Sequence, residues 1–349
     1  MNIHQKRIAD IQAQLKEKQF EALVLARPLE TYFLTGYFMD GVFLLITKED
    51  AYGYMPKMLF DDFHSKVPFV KSSASDNPRA DLIAKRDSLG IKKSIFEPET
   101  ESYLRGKYWK EHGFEECSGL TSSLRLRKEG EEIEILRKSC HIAAEAFSQL
   151  LPTLKTGETE IEVSNRLDNL MRAKGAKGPS FDLIVAFGEN GALPHHVTSD
   201  RKLKDNESVL IDFGCVYKGY CSDITRTFFH GTPDGEFKKV YDIVQKAHDE
   251  GIKALKPGLS ARAADKVCRD IISDAGYGQY FIHSTGHGVG LEIHEAPAVS
   301  ARSDEKVLLE KGMSLTVEPG IYLIGKFGVR IEDTVLVTEK GCEVLTSAD

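Results

Sequence analysis

The chain has 349 residues, 41% of them hydrophobic and 28% charged, with a formal net charge of −7 at pH 7. That size allows two globular domains of ordinary dimensions. The mild acidity carries no long block of one sign, which speaks against nucleic acid or an anionic membrane as partner, and no stretch approaches the ~20 apolar residues of a membrane span.

Residues 3–18 carry Ile8, Ile11 and Leu15 at helical spacing, an amphipathic start without the apolar core of a signal peptide. Strands are expected at 22–26, 42–47 and 51–55, the last two joined by Lys48-Glu49-Asp50. Asn77-Pro78 opens a helix that Gly90 can cap, and 93–96 reads as a short strand. This first segment is a small α/β unit with no cluster of chemical residues. The character changes near residues 122–132, where a basic patch (Arg125, Arg127, Lys128) precedes a long helix that Pro152 stops. Thr159 and Glu162 form a capping-box pattern for the next helix. Beyond it lie a strand at 181–187, a Gly-rich loop into Pro194-His195-His196, and an apolar hairpin at 209–229. Helices at 235–254 and 261–275 and strands at 280–283, 313–318 and 329–337 complete the chain. Helices beside an antiparallel sheet give an α+β class, with domains 1–124 and 125–349.

The hairpin reads VLIDFGCVYKGYCSDITRTFF, two β-branched-rich runs about a turn at Tyr217-Lys218-Gly219. Folding it sets Asp212 opposite Asp223 within a residue of register, where cross-strand Cβ atoms stand roughly 4.5–5.5 Å apart. Two carboxylates that close, in apolar strands, repel unless a cation lies between them. Three further stretches carry chemistry. FIHSTGHGVGLEIHE (281–295) places His283, His287 and His294 among glycines that permit close approach of backbone to a ligand. LTVEPGIY (315–322) ends an apolar strand on Glu318, and VRIEDTVLV (329–337) holds Glu332, which alternation places with Arg330 and Thr334 on a polar face. The candidate ligands Asp212, Asp223, His287, Glu318 and Glu332 are four carboxylates and one imidazole. One ion could not neutralise them; two divalent ions of the Mn, Fe, Co or Zn type would. The six cysteines show no metal-site spacing, so reduced thiols and a cytoplasmic location are expected. Cys215 and Cys221 flank the turn and can face each other, though no working disulfide is expected there.

In this order and spacing, Asp212, Asp223, His287, Glu318 and Glu332 resemble the ligand set of the pita-bread metallopeptidases, the family of methionine aminopeptidase, prolidase and aminopeptidase P. The motifs match over residues 125–349, while residues 1–124 resemble the creatinase/prolidase N-terminal domain in layout. That domain, with LPHH at 193–196, HSTGHG at 283–288 and RIEDT at 330–334, favours the Xaa-Pro branch. The resemblance implies two divalent ions, manganese first, in which Asp212 chelates one, Asp223 and Glu332 bridge both, and His287 and Glu318 hold the second. It implies Glu318 as the base, His195 as the group that stabilises the scissile amide, and His294 as a contact to the substrate carbonyl. His283 and Arg330 would line the proline side with support from Tyr322, and His196 has no assigned role. The partners implied are peptides with proline at the second position and a second copy of the chain, as a homodimer.

Residues 37–41 (YFMDG) have no arginine close behind them, unlike some small prolidases of this fold. The reading therefore prefers an Xaa-Pro aminopeptidase acting on longer peptides, with an Xaa-Pro dipeptidase as the alternative. A non-peptidase binding protein on the same fold and a metal-free hydrolase of the creatinase kind fit less well, because all five ligands are kept. A serine hydrolase has no support, since no GxSxG is present.

Overall fold

A computed structural model describes residues 1–347 of the chain, which divides into two compact units, one ending at Leu124 and the other beginning at Arg125.

The first unit is a mixed six-stranded sheet. Its strands run in the order Lys71–Ala74, Ala51–Met55, Phe43–Thr47, Ala22–Leu25, Ser94–Phe96 and Phe114–Glu116. The central strand pairs antiparallel with Phe43–Thr47 and parallel with Ser94–Phe96. Val24, Leu45, Phe96, Trp109 and Phe114 form its core. The helix Pro28–Thr35 was not foreseen, although proline opens it and Gly36, at φ +74°, closes it. Helices Lys57–Lys66 and Tyr103–Glu111 and the edge strands Lys71–Ala74 and Phe114–Glu116 were missed as well.

In the second unit the expected capping box is present: Thr159 accepts from the Glu162 amide at 3.1 Å, Glu162 accepts from the Thr159 amide at 2.8 Å, and helix Glu160–Ala173 follows. A second helix, Glu131–Leu150, ends in a 3-10 turn that holds Pro152. These two helices cover a three-stranded antiparallel sheet ordered Ile224–His230, Glu207–Phe213, Ile184–Phe187. Helix Gly235–Ala254 buries Phe237, Val240, Val244 and Ala247 at helical spacing. They pack with Cys268 and Ile272 of helix Ala261–Asp274 and with Leu315, Val317 and Val335 of a five-stranded antiparallel sheet. That sheet is ordered Glu295–Val299, Gly286–Gly288, Ser314–Val317, Asp333–Val337, Cys342–Val344. Each fully buried aliphatic side chain contributes about 1.5–3 kcal/mol. Helices packed on antiparallel sheets make this unit α+β, as the sequence reading expects.

Four local expectations are corrected. The hairpin turns on two residues, Lys218 and Gly219, both at positive φ, so Tyr217 faces Tyr220 and Asp212 faces Thr225 rather than Asp223. Asp212 and Asp223 are therefore diagonal neighbours. The same register sets Cys221 against Val216, and all six cysteines are free. Residues 280–283 are not a strand: a 3-10 turn, Gly278–Tyr280, leads into a loop whose carbonyls at Phe281 and His283 accept from Arg269 at 3.1 and 2.8 Å. The run 329–337 is two strands, Phe327–Arg330 and Asp333–Val337, because the chain changes sheets there. Arg330 pairs with Gly320 in a two-stranded hairpin, Asp333 pairs with Val317, and the Glu332 amide donates to the Thr225 carbonyl at 3.1 Å. The polar face of Arg330, Glu332 and Thr334 is consequently internal.

Candidate metal and substrate site

The sheet change at Glu332, the diagonal pair Asp212/Asp223 and the strand ends at His287 and Glu318 converge on one cavity of about 570 Å³, which His195, His283, His294 and Arg330 also line. Every expected site residue is therefore in one place.

One ligand atom from each of Asp223, His287 and Glu332 lies within 4.8 Å of the others. His287 Nδ1 donates to the Gly288 carbonyl at 3.0 Å, which leaves Nε2 to face Asp223 Oδ2 at 3.6 Å and Glu318 Oε1 at 3.4 Å. These separations match donors sharing one ion, since two ligands each about 2.1 Å from a metal at a tetrahedral angle stand about 3.4 Å apart. Asp212 Oδ1 is buried and has no hydrogen-bond partner among the described residues. Such an oxygen costs stability unless it is ligated.

Electrostatics point the same way. Burial raises Asp223 and Glu332 well above the usual carboxylate range, and the neighbouring carboxylates push them further. Glu318 is carried to about 8, by burial first. Asp212 is raised by burial despite Arg330. Burial also lowers His287 to about 4, so its imidazole is neutral and able to ligate. The residues fit divalent cations.

Around the carboxylates, Thr225 Oγ1 donates to Glu332 Oε2 at 2.6 Å and accepts from Arg330 Nε at 3.0 Å. Thr316 Oγ1 donates to Glu318 Oε1 at 3.1 Å and accepts from the His287 amide at 3.1 Å. Neither threonine was singled out in the sequence. Thr225 lies two residues beyond Asp223, on the same face of the strand, and that spacing is the signal that could have found it.

Arg330 is more committed than its expected place on the proline side implies. It donates to Asp212 Oδ2 at 2.8 Å, to the Tyr322 hydroxyl at 2.8 Å and to the Pro194 carbonyl at 3.4 Å, as well as to Thr225. The Tyr322 hydroxyl in turn donates to His283 Nε2 at 2.7 Å, while His283 Nδ1 donates to the Ser284 carbonyl at 2.8 Å. Burial first, and Arg330 next, lower His283 to about 4. His283 thus offers its ring rather than a free nitrogen. His195 and His294 are exposed to the cavity, and the His294 ring meets His287 edge-on at 4.4 Å between centroids.

The glycines around His287 approach protein rather than ligand. A Cβ at Gly286 would stand 2.0 Å from the Thr316 carbonyl oxygen, and one at Gly288 2.2 Å from that of Ala296. Close packing of strands, not a bound molecule, requires glycine there. The basic patch is likewise internal at Arg125 and Lys128, which hold Glu295 at 2.5 and 3.0 Å, directly after His294. Among the described residues no helix is long and apolar enough to cross a membrane.

Comparison with known proteins follows the same division of the chain. Residues 7–127 match the creatinase/prolidase N-terminal domain and residues 134–339 match metallopeptidase family M24. The chain is 38% identical over 338 residues to the Xaa-Pro dipeptidase of Pyrococcus furiosus, covering 96% of each protein. Among solved structures it is similar to an Xaa-Pro dipeptidase from Bacillus anthracis (TM-score 0.95, 39% identity, 99% and 98% of the two chains). It is also similar to an X-Pro aminopeptidase from Thermotoga maritima (TM-score 0.88, 32% identity, 95% and 97% of the two chains). The pita-bread architecture and creatinase-like first domain expected from the motifs are thereby established. With five potential ligands gathered in one cavity and a family match over most of the second unit, the chain belongs to metallopeptidase family M24.

Proposed function

We propose that the protein is a metal-dependent Xaa-Pro dipeptidase, a prolidase. The observation that carries this is end-to-end similarity to proteins named Xaa-Pro dipeptidase, over 96% of both chains in one case and at a TM-score of 0.95 in another. It moves the specificity away from the aminopeptidase preferred on sequence grounds. That second reading keeps one support, the similarity to the Thermotoga maritima X-Pro aminopeptidase.

Asp212, Asp223, His287, Glu318 and Glu332 would hold two divalent ions, manganese first. Such ions, when bound, supply Lewis acidity at the scissile carbonyl. Glu318 engages Thr316 through Oε1, which leaves Oε2 to take up and return a proton. His195 and His294, exposed to the cavity, donate to the substrate amide and carbonyl oxygens as charge develops there. His283 and Tyr322 form the wall against which proline packs. Arg330 holds Asp212 in its ligating orientation, and four of its five N–H groups are already engaged. The free cysteines suit a reducing, cytoplasmic compartment. A homodimer is the proposed assembly, which light scattering would test.

Kinetics of the Mn²⁺-loaded protein on Ala-Pro and Ala-Pro-Ala decide between the two specificities. A dipeptidase cleaves Ala-Pro with kcat/KM at least about tenfold higher, equivalent to about 1.4 kcal/mol of transition-state binding. Faster cleavage of Ala-Pro-Ala returns the chain to the aminopeptidases.

A further inference from the structure

Glu160 is the first residue of helix Glu160–Ala173, where a carboxylate is favoured by the helix dipole and usually meets water. Here its side chain is fully buried and accepts from five donors. Oε1 takes the Phe187 amide at 2.9 Å and Asn190 Nδ2 at 2.9 Å. Oε2 takes His196 Nε2 at 2.7 Å, the Ser199 amide at 2.9 Å and Ser199 Oγ at 2.6 Å. Burial alone would raise the group, but the bonds from Ser199, His196, Phe187 and Asn190 outweigh it and keep the carboxylate ionised.

The two oxygens grip opposite flanks of one loop, residues 187–199, with His195 between the anchored positions. Amides of the same helical turn add to the grip: Glu160 N donates to the Arg201 carbonyl and Ile161 N to that of Ser199, both at 3.1 Å. Apolar burial holds the start of the segment, at Phe187 and Ala192 (0% and 1% exposed), but not the stretch around His195, where Leu193 is 48% and Val197 82% exposed. A loop without a packed side chain opens readily unless polar contacts fix it. Here five of those contacts converge on one carboxylate, and Arg330 on the Pro194 carbonyl and Thr198 Oγ1 on the Leu183 carbonyl add to them.

We propose that Glu160, acting through His196, is the positioning residue that holds His195 against the substrate, an inference that rests on the reading of His195 as a substrate contact. Neither Glu160 nor His196 touches the ligand cluster, so the effect falls on turnover rather than on metal.

The test uses the full-length Mn²⁺-loaded protein and Ala-Pro. His196→Phe keeps a ring and removes the donor; His196→Gln restores an N–H at a similar reach. His196→Phe is expected to lower kcat at least about tenfold, with KM changed by less than about twofold and metal content unchanged, since small misplacements of a reacting group are costly. His196→Gln should recover most of the loss. The double variant His195→Ala/His196→Phe should be no slower than His195→Ala alone, because one residue acts through the other. Wild-type kcat in His196→Phe, or full additivity in the double variant, overturns the proposal. Amide exchange gives a readout independent of peptide cleavage. Exchange at Phe187 and Ser199 should be at least about tenfold faster in His196→Phe and in Glu160→Gln if the carboxylate fixes the loop. Unchanged exchange there overturns the proposal, whereas a failure of the wild-type protein to cleave Ala-Pro counts against the prolidase reading instead.

Discussion

The second unit contains two populations of buried carboxylates that differ in one respect. Glu160, Glu295 and Asp333 are buried and surrounded by donors: five for Glu160, Arg125 and Lys128 for Glu295, and Arg226, His248 and Thr346 for Asp333. Burial is overcome in each case, and Asp333 is held at about 2. Asp212, Asp223, Glu318 and Glu332 are placed together, and all four are raised. Asp223 and Glu332, 5% and 2% exposed, are buried like Asp333 at 7%. Depth is therefore not the difference; partners are. A buried carboxylate with its donors in place is structural, whereas a cluster of four that shares a single protein cation, Arg330 on Asp212, demands ions from outside.

The largest expected effect breaks the cluster directly. Asp223→Ala or Glu332→Ala should lower kcat/KM for Ala-Pro by at least about 10³-fold, about 4 kcal/mol, with fewer than two ions per chain by elemental analysis. Full activity after exhaustive chelation would remove metal from the mechanism. In the partnered population the loss should appear as stability instead. Arg125→Ala leaves Glu295 and Glu292 short of a cation and should destabilise by about 3 kcal/mol in urea titrations, without changing metal stoichiometry. His195→Ala belongs to neither population. It should cost on the order of 10² in kcat with both ions retained, and loss of metal would make His195 a ligand.

How far the site could be read beforehand follows the same division. The five proposed ligands were legible because each of the four carboxylates ends or interrupts an apolar run, His287 stands among glycines, and the set resembles a known family. Most of the donors to the buried carboxylates were not legible, because they come from distant sequence, Thr316 beside Glu318 being an exception. Glu295 meets Arg125 across 170 positions, and Glu332 reads as a surface residue until the chain is seen to change sheets there, with the Glu332 amide bonded to the Thr225 carbonyl. Helices with local signals were found, such as Glu160–Ala173 from its capping box. Pro28–Thr35 also carried its signals and was overlooked, whereas the loop at 281–283 is held by Arg269 and could not be seen in alternation.

A subtler contrast concerns pH. Glu318 rises from 4.5 to about 8 in the folded, metal-free protein, so its contribution to stability is full below pH 4.5 and is lost as pH rises towards 8. Asp333 has the opposite sign: its contribution is present above 3.8 and lost as pH falls towards 2. His283 and His287, lowered to about 4, favour folding above 6.5 and add a loss on acidification below it. Thermal melts between pH 6.5 and 8 thus isolate the carboxylates. The Tm gap between Mn²⁺-loaded and metal-free protein should widen over that range, and a gap that narrows would put the repulsion elsewhere.

The most direct measurement is the Tm of Asp223→Asn at pH 8, with and without Mn²⁺. Removing one unpartnered charge should stabilise the metal-free protein by about 1 kcal/mol, while shrinking the rise in Tm that Mn²⁺ produces in the wild type. A metal-free Asp223→Asn that melts below the metal-free wild type would contradict the claim that this cluster is held together by ions rather than by the protein.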